Sequence, residues 1–127
     1  MVPRMDVVIV LPWPPSVNRY YRSLSKGKLA GRVLVSKEGR TYREEAALIL
    51  GRRRLPMIRD RVRVTIEAFP PDRRRRDLDN LLKASLDALV FGGAIQDDSL
   101  IDDLRIRRGE VREGGELRIH IQGMEEA

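Results

Sequence analysis

Residues 61–93 read RVRVTIEAFPPDRRRRDLDNLLKASLDALVFGG, and this stretch joins a strand pattern to a helix pattern. Apolar residues occupy alternate positions across residues 61–69, which predicts a half-buried β-strand. From about Asp77 to Val90, leucines recur at helical spacing, which predicts an amphipathic helix that the following pair of glycines ends. The stretch therefore predicts a strand and a helix joined by the basic connector PDRRRR.

Two elements are predicted before this unit. Residues 7–11, VVIVL, form an uninterrupted apolar run rich in β-branched residues, which is typical of a strand buried on both faces. Apolar residues at helical spacing predict a helix over about residues 37–54, with Ser36 as its N-cap. Residues 16–35 carry no clear period, and residues 23–32, SLSKGKLAGR, are predicted to form a mobile basic loop.

Two alternating segments follow the second helix and complete the predicted fold. Leu104 and Ile106 mark the first, residues 117–121 mark the second, and Gly114 and Gly115 between them predict a hairpin. The predicted order is β-α-β-α-β-β. We therefore expect an α/β (α+β) fold with a mixed sheet flanked by helices, in a single domain that covers residues 1–127.

Composition narrows the possible functions. The 127 residues include 25 Lys and Arg against 19 Asp and Glu, a net charge of +6 that suits nucleic acid or an anionic membrane surface. The chain has no cysteine and one histidine, which excludes disulfides, thiolate catalysis and Cys- or His-rich metal sites. A bound metal would need oxygen ligands, which favour Mg²⁺ or Mn²⁺. The first apolar run is too short for a signal peptide or a membrane span, so we expect a soluble cytoplasmic protein.

Two acidic groups are candidates for chemistry. Asp77 and Asp79 begin the second predicted helix, where carboxylates often serve as caps. A second group, QDDSLIDDL, follows the glycine pair, and if the chain folds back, Asp97 or Asp98 would join the first two aspartates. Three neighbouring carboxylates stay ionised together only around a cation, and such a site activates water and neutralises a phosphodiester. Lys83 lies four residues after Asp79, as an ion-pair partner or as a cation for the phosphate.

Basic and aromatic residues surround these acids in two segments. The connector carries four consecutive arginines, which suit phosphate binding, although only some of them can face one ligand. The segment LPWPPSVNRYYR, residues 11–22, mixes aromatic residues with cations, a pattern that suits stacking on bases, unless the aromatics belong to the core. The predicted DNA-binding residues are Arg73, Arg74, Arg75, Arg76, Asn18, Arg19, Tyr20 and Arg22. Arg105, Arg107 and Arg108 are candidates to extend the basic face.

The sequence resembles the RusA family of Holliday junction resolvases. The resemblance rests on LPWPPSVNRYYR, on VSKEGRTYR, on PDRRRRDLDNLLKASLDAL and on the DD of QDDSLI, and it covers nearly the whole chain. It implies a small homodimer that cuts four-way junction DNA by paired symmetric nicks with Mg²⁺ or Mn²⁺. It also implies that Asp77, Asp79 and Asp98 are the catalytic metal-binding carboxylates and that Lys83 is the catalytic lysine.

Two other functions remain possible from the residues themselves. In a non-catalytic DNA-binding module, the aspartates would be helix caps and ion-pair partners, and Mg²⁺ would not matter. A metal nuclease for another structured nucleic acid, such as RNA or flaps, would use the same carboxylates on a different substrate. A membrane-surface role is disfavoured, because no predicted helix pairs a basic face with a bulky aromatic one.

Overall fold

The computed structural model describes residues 5–23, 27–28 and 30–124, which form a four-stranded sheet, a two-stranded ribbon and three helices. In chain order the elements are β1 (Asp6–Pro12), α1 (Val17–Tyr20), β2 (Tyr21–Ser23), β3 (Val33–Val35), α2 (Lys37–Arg53), β4 (Val62–Phe69), α3 (Leu82–Phe91), β5 (Ile101–Arg108) and β6 (Glu116–Gly123). Short 3₁₀ turns at Leu78–Leu81 and Asp98–Leu100 precede α3 and β5. The mixed sheet and its helices confirm the predicted fold class.

The sheet has the strand order β1-β6-β4-β5, and the helices of the described residues pack on one of its faces. β6 runs antiparallel to both β1 and β4, whereas β5 runs parallel to β4. Val62, Val64, Ile66 and Ala68 of β4 are buried, and the residues between them are half-buried. The alternation predicted for this strand is therefore confirmed, and its buried side lies in the core between the sheet and the helices.

Helix α2 forms as the sequence predicts. The Ser36 side chain accepts a hydrogen bond from the Gly39 N–H at 3.0 Å, which satisfies one of the free donors of the first turn. Tyr42, Ala46 and Leu50 recur every four residues and are buried on one side of the helix. No helix among the described residues is long and apolar enough to cross a membrane.

Helix α3 connects the two parallel strands, and this places its two ends at opposite ends of the sheet. The chain leaves β4 at Phe69 and must return to the start of β5, which pairs with the start of β4 through Ile101 and Val62. The predicted helix is confirmed in the α3 segment. Its first turn, predicted to begin near Asp77, is instead the 3₁₀ turn Leu78–Leu81.

The prediction that residues 7–11 form a strand buried on both faces is wrong. β1 lies at the edge of the sheet and alternates: Ile9 and Leu11 are buried, whereas Val10 is 47% exposed. The helices cover only one face of the sheet, so the second face of β1 stays in contact with solvent.

The predicted hairpin is also wrong, because β4 lies between β5 and β6. The loop from Gly109 to Gly115 is long enough to carry the chain over the end of β4. Gly114 and Gly115 do form the turn, with φ values of 78° and 70°. A Cβ atom on Gly115 would lie 2.9 Å from the Trp13 side chain, so this loop packs against the residues that follow β1.

Residues 16–35 contain more regular structure than the sequence predicts. One helical turn, α1, leads directly into the ribbon of β2 and β3. These elements have three or four residues each, which is too short for a period to show. Of the predicted basic loop, residues 24–26 and 29 lie outside the described residues.

Candidate functional site

Two segments that are distant in sequence meet around one cleft of about 570 Å³. Residues 13–16, Arg19 of α1 and Glu38 of α2 line one side, and residues of the arginine connector and the turn after it line the other. The lining residues are Trp13, Pro14, Pro15, Ser16, Arg19, Glu38, Arg74, Arg75, Arg76, Asp77, Asn80 and Leu81. The structure therefore brings the aromatic and basic N-terminal segment next to the connector and its first aspartate.

Asp72 shapes the arginine connector. Its carboxylate accepts the Arg74 backbone N–H at 2.9 Å and lies 2.7 Å from an Arg76 guanidinium nitrogen. These two contacts, chiefly the hydrogen bond from Arg76, lower the pKa of Asp72 to about 2. These contacts therefore hold the backbone of the connector in a bend from which the exposed arginines project.

Arg76 has a structural role. Besides Asp72, its guanidinium lies 5.7 Å from the centre of the Trp13 ring, and its carbonyl accepts a hydrogen bond from Arg108 at 2.7 Å. Arg73, Arg74 and Arg75 are exposed. Arg74 and Arg75 line the cleft. A smaller neighbouring cavity of about 230 Å³ is lined by Arg73, Arg74 and Arg76. The connector thus leaves three arginines open to a ligand and uses the fourth for packing.

Asp77 and Asp79 are exposed, and the geometry does not favour helix capping for Asp77. Asp77 occupies the N-cap position of the 3₁₀ turn, yet its side chain makes no capping hydrogen bond. Lys83 is exposed in the first turn of α3. Within the described residues, no ion pair joins Lys83 to Asp79. The structure therefore does not support the interpretation of Lys83 as an ion-pair partner of Asp79.

Asp98 lies at the other end of the sheet from Asp77 and Asp79. The adjacent Ser99 carbonyl accepts a hydrogen bond from Arg61 at 2.6 Å, which places this turn beside the start of β4. Since β5 has eight residues, its two ends are roughly 25 Å apart. No three His, Cys, Asp or Glu side chains form a metal-binding group within the part of one chain that the structure describes.

The predicted fold-back of the acidic group onto the helix start is therefore wrong within one chain. The chain does return, but through β5, so that Arg108 and not Asp98 reaches the connector. The catalytic and metal-binding roles of Asp77, Asp79, Asp98 and Lys83 stay predictions.

Two further acids of QDDSLIDDL form ordinary ion pairs, whereas the Asp97 carboxylate accepts a hydrogen bond from the Ser99 hydroxyl. Asp102 contacts Arg61 at 3.1 Å and Asp103 contacts Arg63 at 2.8 Å. Arg105 and Arg107 are also engaged, with Asp103 and Glu67 respectively. Of the three arginines that were candidates to extend the basic face, only Arg108 lies at the cleft region, where it lines the smaller cavity.

Tyr20 cannot stack on DNA bases, because it is fully buried, with 0% exposure. The single turn of α1 directs its ring inward, where its hydroxyl donates a hydrogen bond to Asp87 of α3. Arg43 of α2 completes the group: its Nε donates to the Tyr20 hydroxyl at 3.0 Å and to Asp87 at 2.6 Å. The predicted DNA-binding role of Tyr20 is therefore wrong, and Tyr20 is a core residue that joins three helices.

The other predicted residues of the N-terminal segment are exposed. Arg19 lines the cleft, and Asn18 precedes it on the same helical turn. Arg22 lies on the ribbon strand β2. These positions leave all three side chains accessible to a ligand.

The sequence analysis missed Arg43 and Asp87. Asp87 is the only carboxylate of α3, and a lone acidic residue on a largely apolar helix was the available signal. Burial acts to raise the pKa of Asp87, but hydrogen bonds from Arg43 and Tyr20 outweigh it, so the pKa lies below its ordinary value. The ionised carboxylate is thus stabilised in the folded state.

We expect Asp87→Asn to lower the free energy of unfolding at pH 7 by about 2 kcal/mol, because it removes a charged partner from two partly buried hydrogen-bond donors. A carboxyl whose folded pKa is depressed contributes stability above its unfolded pKa and loses it as pH falls through the folded pKa. The difference from wild type should therefore narrow below about pH 4. Thermal unfolding at pH 7 and pH 3 measures both effects.

Asp102→Asn is the control for this prediction. The Asp102 side chain is 43% exposed, and a surface ion pair contributes below about 1 kcal/mol to the free energy of unfolding. Equal melting temperatures for Asp87→Asn and wild type at pH 7 would contradict this role.

Comparison with known proteins gives a consistent result. Residues 12–122 match the family model described as endodeoxyribonuclease RusA. The chain is 45% identical over 117 residues to the crossover junction endodeoxyribonucleases RusA of Escherichia coli K12 and Enterobacteria phage 82, covering 91% of this chain and 93% of each relative. The protein of the same name from Shigella sonnei is 44% identical over the same shares.

Proposed function

The chain belongs to the RusA family of endodeoxyribonucleases, and from this premise we propose that it cuts four-way DNA junctions by paired symmetric nicks. The observation that carries the proposal is the composition of the cleft. Exposed Arg74 and Arg75 line it together with Asp77, whose carboxylate makes no helix-capping hydrogen bond. Cations at such a cleft attract a phosphate backbone, and a carboxylate among them would repel it. An exposed carboxylate at that place therefore indicates chemistry on the phosphate, beyond binding alone.

The exposed basic residues would hold the DNA backbone. Arg73, Arg74 and Arg75 project from the connector, and Asn18, Arg19 and Arg22 project from the opposite segment. Arginine suits this role, because its fixed fork of donors stays charged at any physiological pH. Arg76 would contribute indirectly, by holding the connector against Trp13.

Asp77, Asp79 and Asp98 would hold Mg²⁺, with Mn²⁺ as a substitute. The donor set fits in kind, since all three side chains are exposed carboxylates and hard cations prefer oxygen. When bound, the metal would neutralise phosphate charge and activate water. Lys83, one helical turn after Asp79 and exposed, would stabilise the negative charge that develops on the phosphate during cleavage.

A homodimer would supply both the second cut and the third carboxylate. A four-way junction has approximate two-fold symmetry, so a two-fold dimer presents two sites to two opposed strands. α3 has a half-buried apolar stripe of Leu82, Leu86 and Val90, and Leu104 of β5 is 40% exposed. If two copies pack their α3 helices antiparallel along this stripe, the end of one helix lies beside the start of the other. Asp98 of the partner subunit would then approach Asp77 and Asp79.

Cleavage of labelled DNA tests the proposed function. A four-way junction, a linear duplex of the same sequence and a flap are each incubated with the protein in Mg²⁺ or in EDTA. We expect symmetric paired nicks in the junction that require Mg²⁺ and a strong preference over linear duplex. Tight junction binding without cutting in any divalent metal would support a non-catalytic module. Equal cutting of flaps would support a nuclease for other structured nucleic acids. A protein with this activity would act where DNA is held, which we expect to be the cytoplasm.

A further inference from the structure

The net charge of the chain is confined to one segment. Residues 16–37 contain six of the 25 lysines and arginines and no aspartate or glutamate. The other 19 cations are matched by the 19 Asp and Glu residues of the rest of the chain, so the net charge of +6 belongs to this segment. The arginine connector, despite its density, lies in a part of the chain that is neutral overall.

Within this segment, the β2–β3 ribbon forms an arm that projects from the body. Within the β2–β3 ribbon, Ser23 pairs with Val33 and Arg22 pairs with Leu34. Val33 is 60% exposed, Leu34 is 39% exposed, and Arg22 and Ser23 are exposed as well. Successive strand residues point to opposite faces, so exposure at neighbouring positions means that neither face of the outer ribbon packs against the protein.

The base of the arm is fixed, in contrast to its outer part. The Ser36 N–H donates a hydrogen bond to the Tyr20 carbonyl at 2.8 Å. A Cβ atom on Gly39 would lie 2.5 Å from that carbonyl and 2.7 Å from the Val35 side chain, so the ribbon and α2 approach as closely as glycine allows. Tyr20 itself is held by Asp87 and Arg43. The body therefore sets the direction in which the arm leaves.

The arm leaves beside the cleft. Arg19 lines the cleft, and the ribbon begins two residues later at Tyr21. A nucleic acid that passes through the cleft on this side would therefore meet the exposed cations of the arm next, among them Arg22, Lys28 and Arg32.

We propose that the arm, which consists of the β2–β3 ribbon with Lys28 and Arg32, binds the phosphate backbone of duplex DNA outside the cleft, as a second contact surface. This inference rests on the proposed function. The segment that contains the arm has no aspartate or glutamate to neutralise its cations. These cations would therefore contact the phosphates of the DNA backbone, and such contacts do not depend on base sequence. The arm would account for affinity, whereas the cleft and its aspartates would account for cleavage.

Salt dependence of binding separates the arm from a general effect of net charge. The arm variant is Arg22→Gln/Lys28→Gln/Arg32→Gln, and the matched control is Arg52→Gln/Arg54→Gln/Arg59→Gln, which removes three exposed charges at and just after the end of α2. Dissociation constants are measured in EDTA at several salt concentrations, on a four-way junction and on a linear duplex. Each lost phosphate contact reduces the slope of log K against log salt by about 0.9, so the arm variant should lose about 2.7. At about 0.1 M salt we expect its affinity to fall at least tenfold, with the control within about twofold.

Other outcomes have defined meanings. Equal losses of slope in the two variants would overturn the proposal, because the effect would then reflect net charge alone. An unchanged slope together with lost binding to vesicles of anionic lipid would overturn it in favour of a membrane surface. In a Lys28→Gln/Arg32→Gln protein, which keeps Arg22, the nicking rate at saturating protein should stay within about twofold of wild type, because these two residues lie outside the cleft. A wild-type protein that binds DNA through the arm but never cuts junctions would refute the proposed function while leaving the arm proposal intact.

Discussion

Replacing Asp79 with asparagine is expected to reduce junction cleavage by about a thousandfold or more while junction binding persists. Asparagine keeps the shape of the side chain but loses the charge that would hold the metal. A loss of about 4 kcal/mol of transition-state stabilisation corresponds to this factor. Binding should persist or become tighter, because a negative charge leaves a surface that faces phosphates. Single-turnover nicking in Mg²⁺ and equilibrium binding in EDTA measure the two effects separately.

Asp6→Asn is the matched control for this experiment. It makes the same change in charge at an exposed aspartate whose partner is His120, on strand β1 at the opposite edge of the sheet from β5. We expect its nicking rate to stay within about twofold of wild type. An Asp79→Asn protein that cuts at the wild-type rate would show that the assigned site is wrong. If Asp79→Asn instead only lowered stability, the aspartate would be structural, as in a non-catalytic module.

The longest periodic segments are the parts of the fold that the sequence predicted well. β4, α2 and α3 each have eight or more residues that follow a single period. The observed ends of β4 and α2 differ from the predicted ends by a few residues at most. α1, β2 and β3 have four residues or fewer and were missed. A period needs about two repeats to be seen, so elements of this length leave no pattern in the sequence.

Strand pairing was the part of the fold that local pattern could not reveal. The glycine pair at residues 114 and 115 predicted that β5 and β6 pair, yet both pair with β4. Which strands pair depends on the connections across the sheet, and the crossover through α3 makes β5 parallel to β4. The same fact decides the position of Asp98, which the crossover carries to the far end of the sheet from Asp77.

Tyr20 illustrates a similar limit within the site. The pattern NRYYR suits stacking on bases, but the side chain turns inward because Arg43 and Asp87 provide partners for its hydroxyl. Those partners lie 23 and 67 residues away in the chain. Sequence pattern identified the cleft-lining Trp13, Arg19 and Asp77 through their local chemistry, whereas the role of Tyr20 depends on tertiary contacts.

Mixing two inactive variants is expected to restore nicking if the metal site is shared between subunits. In a heterodimer of Asp79→Asn and Asp98→Asn, one shared site would contain both substitutions and the other would contain neither. Random association makes about half of the dimers heterodimers, each with one intact site, so nicking should return to about a quarter of the wild-type rate. The products should be single nicks without paired cuts. Subunits are exchanged by coexpression, and the products are resolved on denaturing gels.

A mixture of Asp77→Asn and Asp79→Asn is the control that makes this result decisive. Both substitutions lie on the same side of the proposed shared site, so every dimer in that mixture has two defective sites. No activity should return there, although subunit exchange and the number of lost charges are the same. If the Asp79→Asn and Asp98→Asn mixture stays as inactive as this control, Asp98 of one subunit does not share a site with Asp77 and Asp79 of the other. Because Asp98 and Asp77 lie at opposite ends of the sheet within one chain, Asp98 would then not be a ligand of that metal.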